Sequence, residues 1–186
     1  IIRELGSGGM AKVYLATQDS LQRTVAIKVM DVVNTTGKID ADYERRFFLE
    51  GRNLAQLQHA NIATIHDISM KDGHYYYAME HCEGGDLADK IKSGIGEIES
   101  VKIVIKIARA LNYAHERNIV HRDIKPSNIM FRAGMEPVIT DFGISKDLSS
   151  DSELTQTGTM IGTPLYMSPE QINAENLDGR SDIYSL

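Results

Sequence analysis

The sequence predicts an α+β fold in two parts, a strand-rich first part with one helix and a mostly helical second part. Three observations predict it. Residues 1–80 hold five short runs of strand character around one stretch with helical spacing. A polar, glycine-containing break follows at 80–87, and 99–116 then repeats apolar residues at helical spacing. The 186 residues are 42% apolar, enough for a real core. The net charge of −6 argues against nonspecific binding to nucleic acid or to an anionic membrane. Cys82 is the one cysteine, which excludes a disulfide framework and a cysteine-built metal site and suits a reducing, cytoplasmic compartment. No run of eighteen apolar residues, signal-peptide pattern, repeat or low-complexity tract is visible.

Taken in order, strands are expected near 1–5 and 12–19, joined by Gly6-Ser7-Gly8-Gly9. Glycines there let a hairpin bring backbone N–H groups close to phosphate oxygens, although a glycine-rich hairpin is also simply a tight turn. Residues 25–30 form a strand in which Lys28 is the one polar residue. A helix is expected over 40–58, with Tyr43, Phe47, Leu54 and Leu57 on one stripe. Glu50 falls on that stripe, and a carboxylate facing inward needs a cation, for which Lys28 is the candidate. Strands at 62–68 and 74–80, joined by the turn Lys71-Asp72-Gly73, complete the first part.

In the second part the 99–116 helix is apolar round much of its circumference and belongs inside a larger core. Beyond it, His121-Arg122-Asp123-Ile124-Lys125-Pro126-Ser127-Asn128 sits among apolar runs at 118–120, 129–131 and 138–140, which read as strands. Asp141-Phe142-Gly143 begins thirteen positions after Asn128. Two carboxylates, an amide and a lysine are thereby held on loops between short buried strands.

That set, His-Arg-Asp-x-Lys-Pro-x-Asn with a downstream Asp-Phe-Gly, resembles the signature of protein kinases. The Asp-x-Lys-Pro-x-Asn form is similar to serine/threonine kinases, and Thr163 agrees. Gly-Gly-Met near the start, Thr-Gln-Thr at 155–157 and Ser-Asp-Ile-Tyr-Ser-Leu at the end look like the bacterial, eukaryote-like (Hanks-type) branch. The resemblance implies a bilobal protein-kinase fold: a five-stranded N-lobe with one helix at 1–79, a hinge at 80–86, and a C-lobe at 87–186 with an activation segment at 141–170. Members normally continue with several more helices, so the expected C-lobe is incomplete and the domain C-terminally truncated.

The resemblance also implies roles. Gly6, Ser7, Gly8 and Gly9 would cover the phosphates of ATP, with Ala11 in place of the family's third glycine. Val13 and Ala26 would cover one face of the adenine and Met130 the other. Met79 would be the gatekeeper, Glu80 C=O and Cys82 N–H would bond the adenine edge, and Asp86 would hold the ribose. Lys28 would hold the α- and β-phosphates and pair with Glu50. Asp123 would orient the substrate hydroxyl and take its proton, Lys125 would neutralise the γ-phosphate, and Asn128 and Asp141 would hold Mg²⁺. Thr155 and Thr157 are expected autophosphorylation sites, ahead of Thr159, with Arg122 and Lys146 as a basic pocket. Glu170 of Ser168-Pro169-Glu170 would pair with an arginine beyond 186, and Asp182 would brace the catalytic loop backbone.

The expected function is ATP-dependent phosphorylation of protein serine and threonine, with a homodimer a possible route to autophosphorylation in trans. Three other readings stay open. The chain could be a pseudokinase or nucleotide-binding scaffold, although such proteins usually lose a lysine or aspartate kept here; an inert fragment of an active kinase; or a small-molecule kinase, which fits 163–170 poorly.

Overall fold

The computed structural model describes residues 1–8, 11–30, 41–142 and 164–186. The chain divides into two compact units, one of Ile1–Gln56 and Thr64–His81, the other of Leu57–Ala63 with 82–142 and 164–186.

The first unit is a five-stranded antiparallel sheet in the order β1-β2-β3-β5-β4. Its strands are β1 (Arg3–Ser7), β2 (Ala11–Gln18), β3 (Arg23–Met30), β4 (Ile65–Lys71) and β5 (His74–Glu80). Asp72 and Gly73, both at positive φ (53° and 79°), make the tight β4–β5 turn. Two such residues in succession match the right-handed twist of the flanking strands. Among the described residues its one helix, α1 (Ala41–Ala55), ends three residues before the expected 58. It packs on β4 and β5 through Phe47, whose ring lies 5.2 Å from that of Tyr75, both wholly buried. Gly51 lets the backbone reach the sheet, since a Cβ there would lie 2.6 Å from Cδ1 of Ile68.

The expected strand at 62–68 forms instead at Ile65–Lys71, because 61–63 is engaged in the second unit. Ile139 N–H donates to Asn61 O and Ala63 N–H to Ile139 O, both at 2.9 Å. The side chain of buried Asn61 adds bonds to Pro137 O and Glu136, and Lys106 closes on Glu136 at 2.6 Å.

The second unit contains a helix absent from the sequence expectation, α2 (Leu87–Ser93). Asp86 caps it, accepting from Asp89 N–H at 2.8 Å, and Gly94 ends it at φ 90°. Next come α3 (Glu97–His115), the hairpin β6 (Ile129–Phe131) and β7 (Pro137–Ile139), and the short helices α4 (Pro169–Ile172) and α5 (Gly179–Ser185). Helix α3 buries Ile103, Ile107, Ala110, Leu111 and Ala114, while Ile98 (74% exposed), Val101, Val104 and Ile105 face outward.

Residues 118–120 are not a strand. Asn118 takes a left-handed φ of 58°, Asn118 N–H bonds His115 O, and Ile119 N–H bonds Ala114 O, so this stretch closes α3 as a Schellman motif. The apolar pair Ile119-Val120 reads as strand from composition alone, but the asparagine diverts the chain. The terminal helix α5 buries the polar residues Ser181 and Asp182, and Ile183 and Tyr184 face outward.

Gly84 and Gly85 bring the chain against β6. Gly84 N–H donates to Phe131 O and Phe131 N–H to Gly85 O, setting Asp86 opposite Met130. A Cβ on Gly84 would meet Phe131 O and Arg132 O at 2.8 Å, atoms that cannot swing aside. Gly84→Ala is expected to lower the free energy of urea unfolding by about 1–3 kcal/mol, the cost of overpacking.

Candidate active site

The Schellman turn after α3 delivers the chain to His121, which is wholly buried. Its Nδ1 accepts the N–H of Asp123 at 3.2 Å, so Nε2 carries the proton and donates to Thr140 O at 2.8 Å. The ring is a neutral strut that packs 4.6 Å from the ring of Phe142. Burial, outweighing the bond to Thr140 and the nearby carboxylates, pushes its pKa below the ordinary 6.5.

Asp182, 1% exposed, sits beneath this turn. Its Oδ2 accepts His121 N–H at 2.8 Å and is 2.7 Å from His115 Nε2, and its Oδ1 accepts Arg122 N–H at 2.8 Å. Gly179 makes room for His115, since a Cβ there would lie 2.5 Å from that ring. Held this way, Arg122 adopts a left-handed φ of 66°.

Asp123, Lys125 and Asn128 come together. Lys125 Nζ lies 2.8 Å from Asp123 Oδ2, and Asn128 Nδ2 donates to Asp123 O at 2.8 Å and to Oδ2 at 3.0 Å. A single 3₁₀ turn, Pro126–Asn128, sets that spacing. Thr140 N–H donates to Asn128 O at 2.9 Å, fixing the approach to Asp141, which has a left-handed φ of 59°. With its amide nitrogen committed to Asp123, Asn128 offers its oxygen, and Asp141 adds a carboxylate. Two hard oxygen donors suit Mg²⁺, which keeps waters and phosphate oxygens for its other positions. Among the described residues no cluster of three or more His, Cys, Asp or Glu side chains could hold a metal alone.

In the same unit, Met130 lies on β6 opposite Asp86, and Cys82 is buried. Asp86 Oδ1 is engaged as the cap of α2.

In the first unit, Gly6 follows an irregularity in β1 and pairs with Val13; Ser7 ends the strand, and Gly8 N–H bonds Ala11 O. Val13 lies opposite Lys28, Ala26 opposite Met79, and Lys28 opposite Tyr77. Cross-strand partners point to one face, so Val13, Ala26, Lys28, Tyr77 and Met79 share a sheet face. Lys28 Nζ is 5.9 Å from the Tyr77 ring centroid. Tyr75 belongs to that face too, and α1 packs there through Phe47, with Glu50 half-buried one turn further on. Glu80 ends β5, its N–H bonded to Thr64 O. Gly9, Gly143, Thr155, Thr157, Thr159 and Thr163 lie outside the described residues.

Three participants were missing from the sequence reading: His115, Thr140 and Gln171. Gln171 Nε2 donates to Arg122 O at 2.7 Å. Only the Ser168-x-x-Gln171 spacing, a helix-start pattern, marked it beforehand.

Glu170 accepts from Ser181 Oγ at 2.5 Å, and that bond first among its causes holds the carboxyl below its ordinary pKa.

The model of the protein kinase domain family matches residues 1–186, the whole chain. Serine/threonine-protein kinase PknF of Mycobacterium tuberculosis (strain ATCC 25618 / H37Rv) is 39% identical over 194 residues, covering all of this chain and 40% of the relative. Serine/threonine-protein kinase PrkC of Bacillus subtilis (strain 168) is 40% identical over 190 residues, covering all of this chain and 28% of the relative. The chain thus spans well under half the length of these curated relatives. The crystal structure of the Mycobacterium tuberculosis PknI kinase domain superposes with a TM-score of 0.73 at 30% identity. It is matched over all of this chain and 69% of its own.

Two outcomes test the geometry. Asp182→Asn leaves one backbone donor facing an amide N–H₂, and the unfolding free energy should fall by about 1–3 kcal/mol. Because His121 has a folded-state pKa below 6.5, the unfolded chain takes up the proton first. Its contribution is complete above that pH and is lost as pH falls toward the folded-state pKa. Denaturant midpoints measured from pH 8 to 5 should decline more steeply in the wild type than in His121→Asn.

Proposed function

The chain belongs to the protein kinase family, and from that membership we propose that it transfers the γ-phosphoryl group of Mg·ATP to serine or threonine hydroxyls of protein substrates. The observation that carries this is the Asp123 carboxylate, held by Lys125 Nζ at 2.8 Å and Asn128 Nδ2 at 3.0 Å on a loop anchored from below by Asp182. A carboxylate so fixed can accept a hydrogen bond from the substrate hydroxyl and take its proton as the oxygen attacks phosphorus. Lys125, already beside it, faces the charge that develops on the transferred group.

Asn128 and Asp141 would hold the metal, which when bound neutralises charge on the β- and γ-phosphates. Lys28, with Glu50 on the helix covering its sheet face, would fix the α- and β-phosphates. Gly6, Ser7, Gly8 and Gly9 would lie over them. Val13, Ala26 and Met130 would enclose the adenine, Met79, Glu80 and Cys82 would line and bond its edge, and Asp86 would reach the ribose with the oxygen left by its helix cap. Control would come from autophosphorylation at Thr155 and Thr157, in trans within a transient homodimer in a cytoplasmic compartment. The retention of Lys28, Asp123, Asn128 and Asp141 together favours an enzyme over a nucleotide-binding scaffold.

Intact mass before and after incubation with Mg·ATP tests the reading. The wild type should gain phosphate, mapped by fragmentation to Thr155 and Thr157. Asp123→Asn should gain it on the order of 10²–10⁴-fold more slowly. Nucleotide binding without any transfer by the wild type would replace the enzyme with a scaffold.

A further inference from the structure

The peptide joining Arg122 to Asp123 is gripped at both ends. Its N–H donates to His121 Nδ1 at 3.2 Å, and its carbonyl accepts Nε2 of Gln171 at 2.7 Å. Arg122 itself is left-handed at φ 66°, a conformation that a residue with a side chain keeps only where its surroundings over-determine it. Asp182 Oδ1 takes the Arg122 N–H from below, so three separate groups hold two successive peptides.

Gln171 is also half of the cap on α4. Its Oε1 accepts Ser168 N–H at 3.0 Å, while its own N–H donates to Ser168 Oγ at 3.3 Å. With a donor on one side of the carboxamide and an acceptor on the other, its orientation is fixed: a flip would set like groups against each other at both ends. A glutamate would complete this cap equally well. It would have no hydrogen to give Arg122 O, so the cap alone does not account for an amide here.

We propose that Gln171 is a positioning residue, clamping α4 to the peptide that presents Asp123 and so setting the aim of that carboxylate. This rests on the phosphotransfer reading above. Helix α4 and the catalytic loop then move as one body, because the same side chain that starts the helix closes the strained turn.

The test uses the full chain with Gln171→Glu, Gln171→Ala and Ser168→Ala, reading thermal unfolding, steady-state kinetics and amide hydrogen exchange across 121–124. Gln171→Glu keeps the cap and loses the bond to Arg122 O, so it should melt below the wild type but no lower than Ser168→Ala. Its kcat should fall on the order of 10- to 100-fold, with KM for ATP changed less than about twofold. Exchange at the Asp123 amide should accelerate. Ser168→Ala should melt lower while keeping kcat within about twofold, separating stability from aim. Gln171→Ala should show both losses. Wild-type kcat in Gln171→Glu, or a loss of kcat that merely tracks melting temperature across the three variants, would overturn the proposal. If the wild type itself transfers no phosphate, the enzymatic reading fails separately. Exchange then still decides the clamp: equal rates in wild type and Gln171→Glu overturn it, and faster rates confined to 121–124 support it.

Discussion

One buried carboxylate holds the active-site loop in place. Asp182 is almost without solvent, a state that costs a charge several kcal/mol unless hydrogen bonds replace the lost water. Those bonds come from the His121 and Arg122 N–H groups and from His115 Nε2. The two bonds from consecutive N–H groups fix the backbone that enters Arg122, and the left-handed φ of Arg122 then turns the chain so that the next N–H, that of Asp123, meets His121 Nδ1. The carboxylate and the left-handed residue act in sequence, one anchoring the backbone before the turn and the other directing it afterwards.

From that anchor the constraint spreads through Thr140. Its carbonyl receives His121 Nε2–H, and its N–H reaches Asn128 O. Residues 121, 128 and 140 are thereby locked together, with the Asn128 side chain bonded to Asp123 and Asp141 following directly on Thr140. The second left-handed residue, Asp141, follows directly after it. Strain of this kind gathers where function needs a fixed geometry more than a comfortable one. A neutral His121 suits the arrangement, since only an unprotonated Nδ1 can accept the Asp123 N–H.

Much of this was legible beforehand where one residue type has one physical use. The Asp72-Gly73 turn, the Phe47 stripe and the Asp123 to Asn128 cluster all followed from local rules, and each is present. What escaped was set by partners distant in sequence. Strand β4 starts late because Asn61 and Ala63 bond Ile139, some 76 residues away, which no local pattern announces. Residues 118–120 read as a strand on β propensity alone, and the left-handed Asn118 that closes α3 overrides it. Helix α2 escapes a local reading although Asp86 and Gly94 bracket it, because seven residues with none buried are too short to show a core-facing pattern. Gln171 escapes local rules since its bond is to a carbonyl 49 residues earlier.

The last two helices show why polar contacts carry this part of the molecule. At four and seven residues, α4 and α5 are too short to be stable by themselves. Neither offers a broad apolar face, since Ile172, Ile183 and Tyr184 point outward. Their cohesion is side-chain hydrogen bonding: Ser181 to Glu170, Ser185 to Tyr166 O, and the Ser168–Gln171 capping box. Such bonds are directional and strengthen one another. Asp182 and Gln171 carry that network to the two ends of Arg122, one at its N–H and the other at its carbonyl, so the short helices reach the loop that bears Asp123 through two particular side chains.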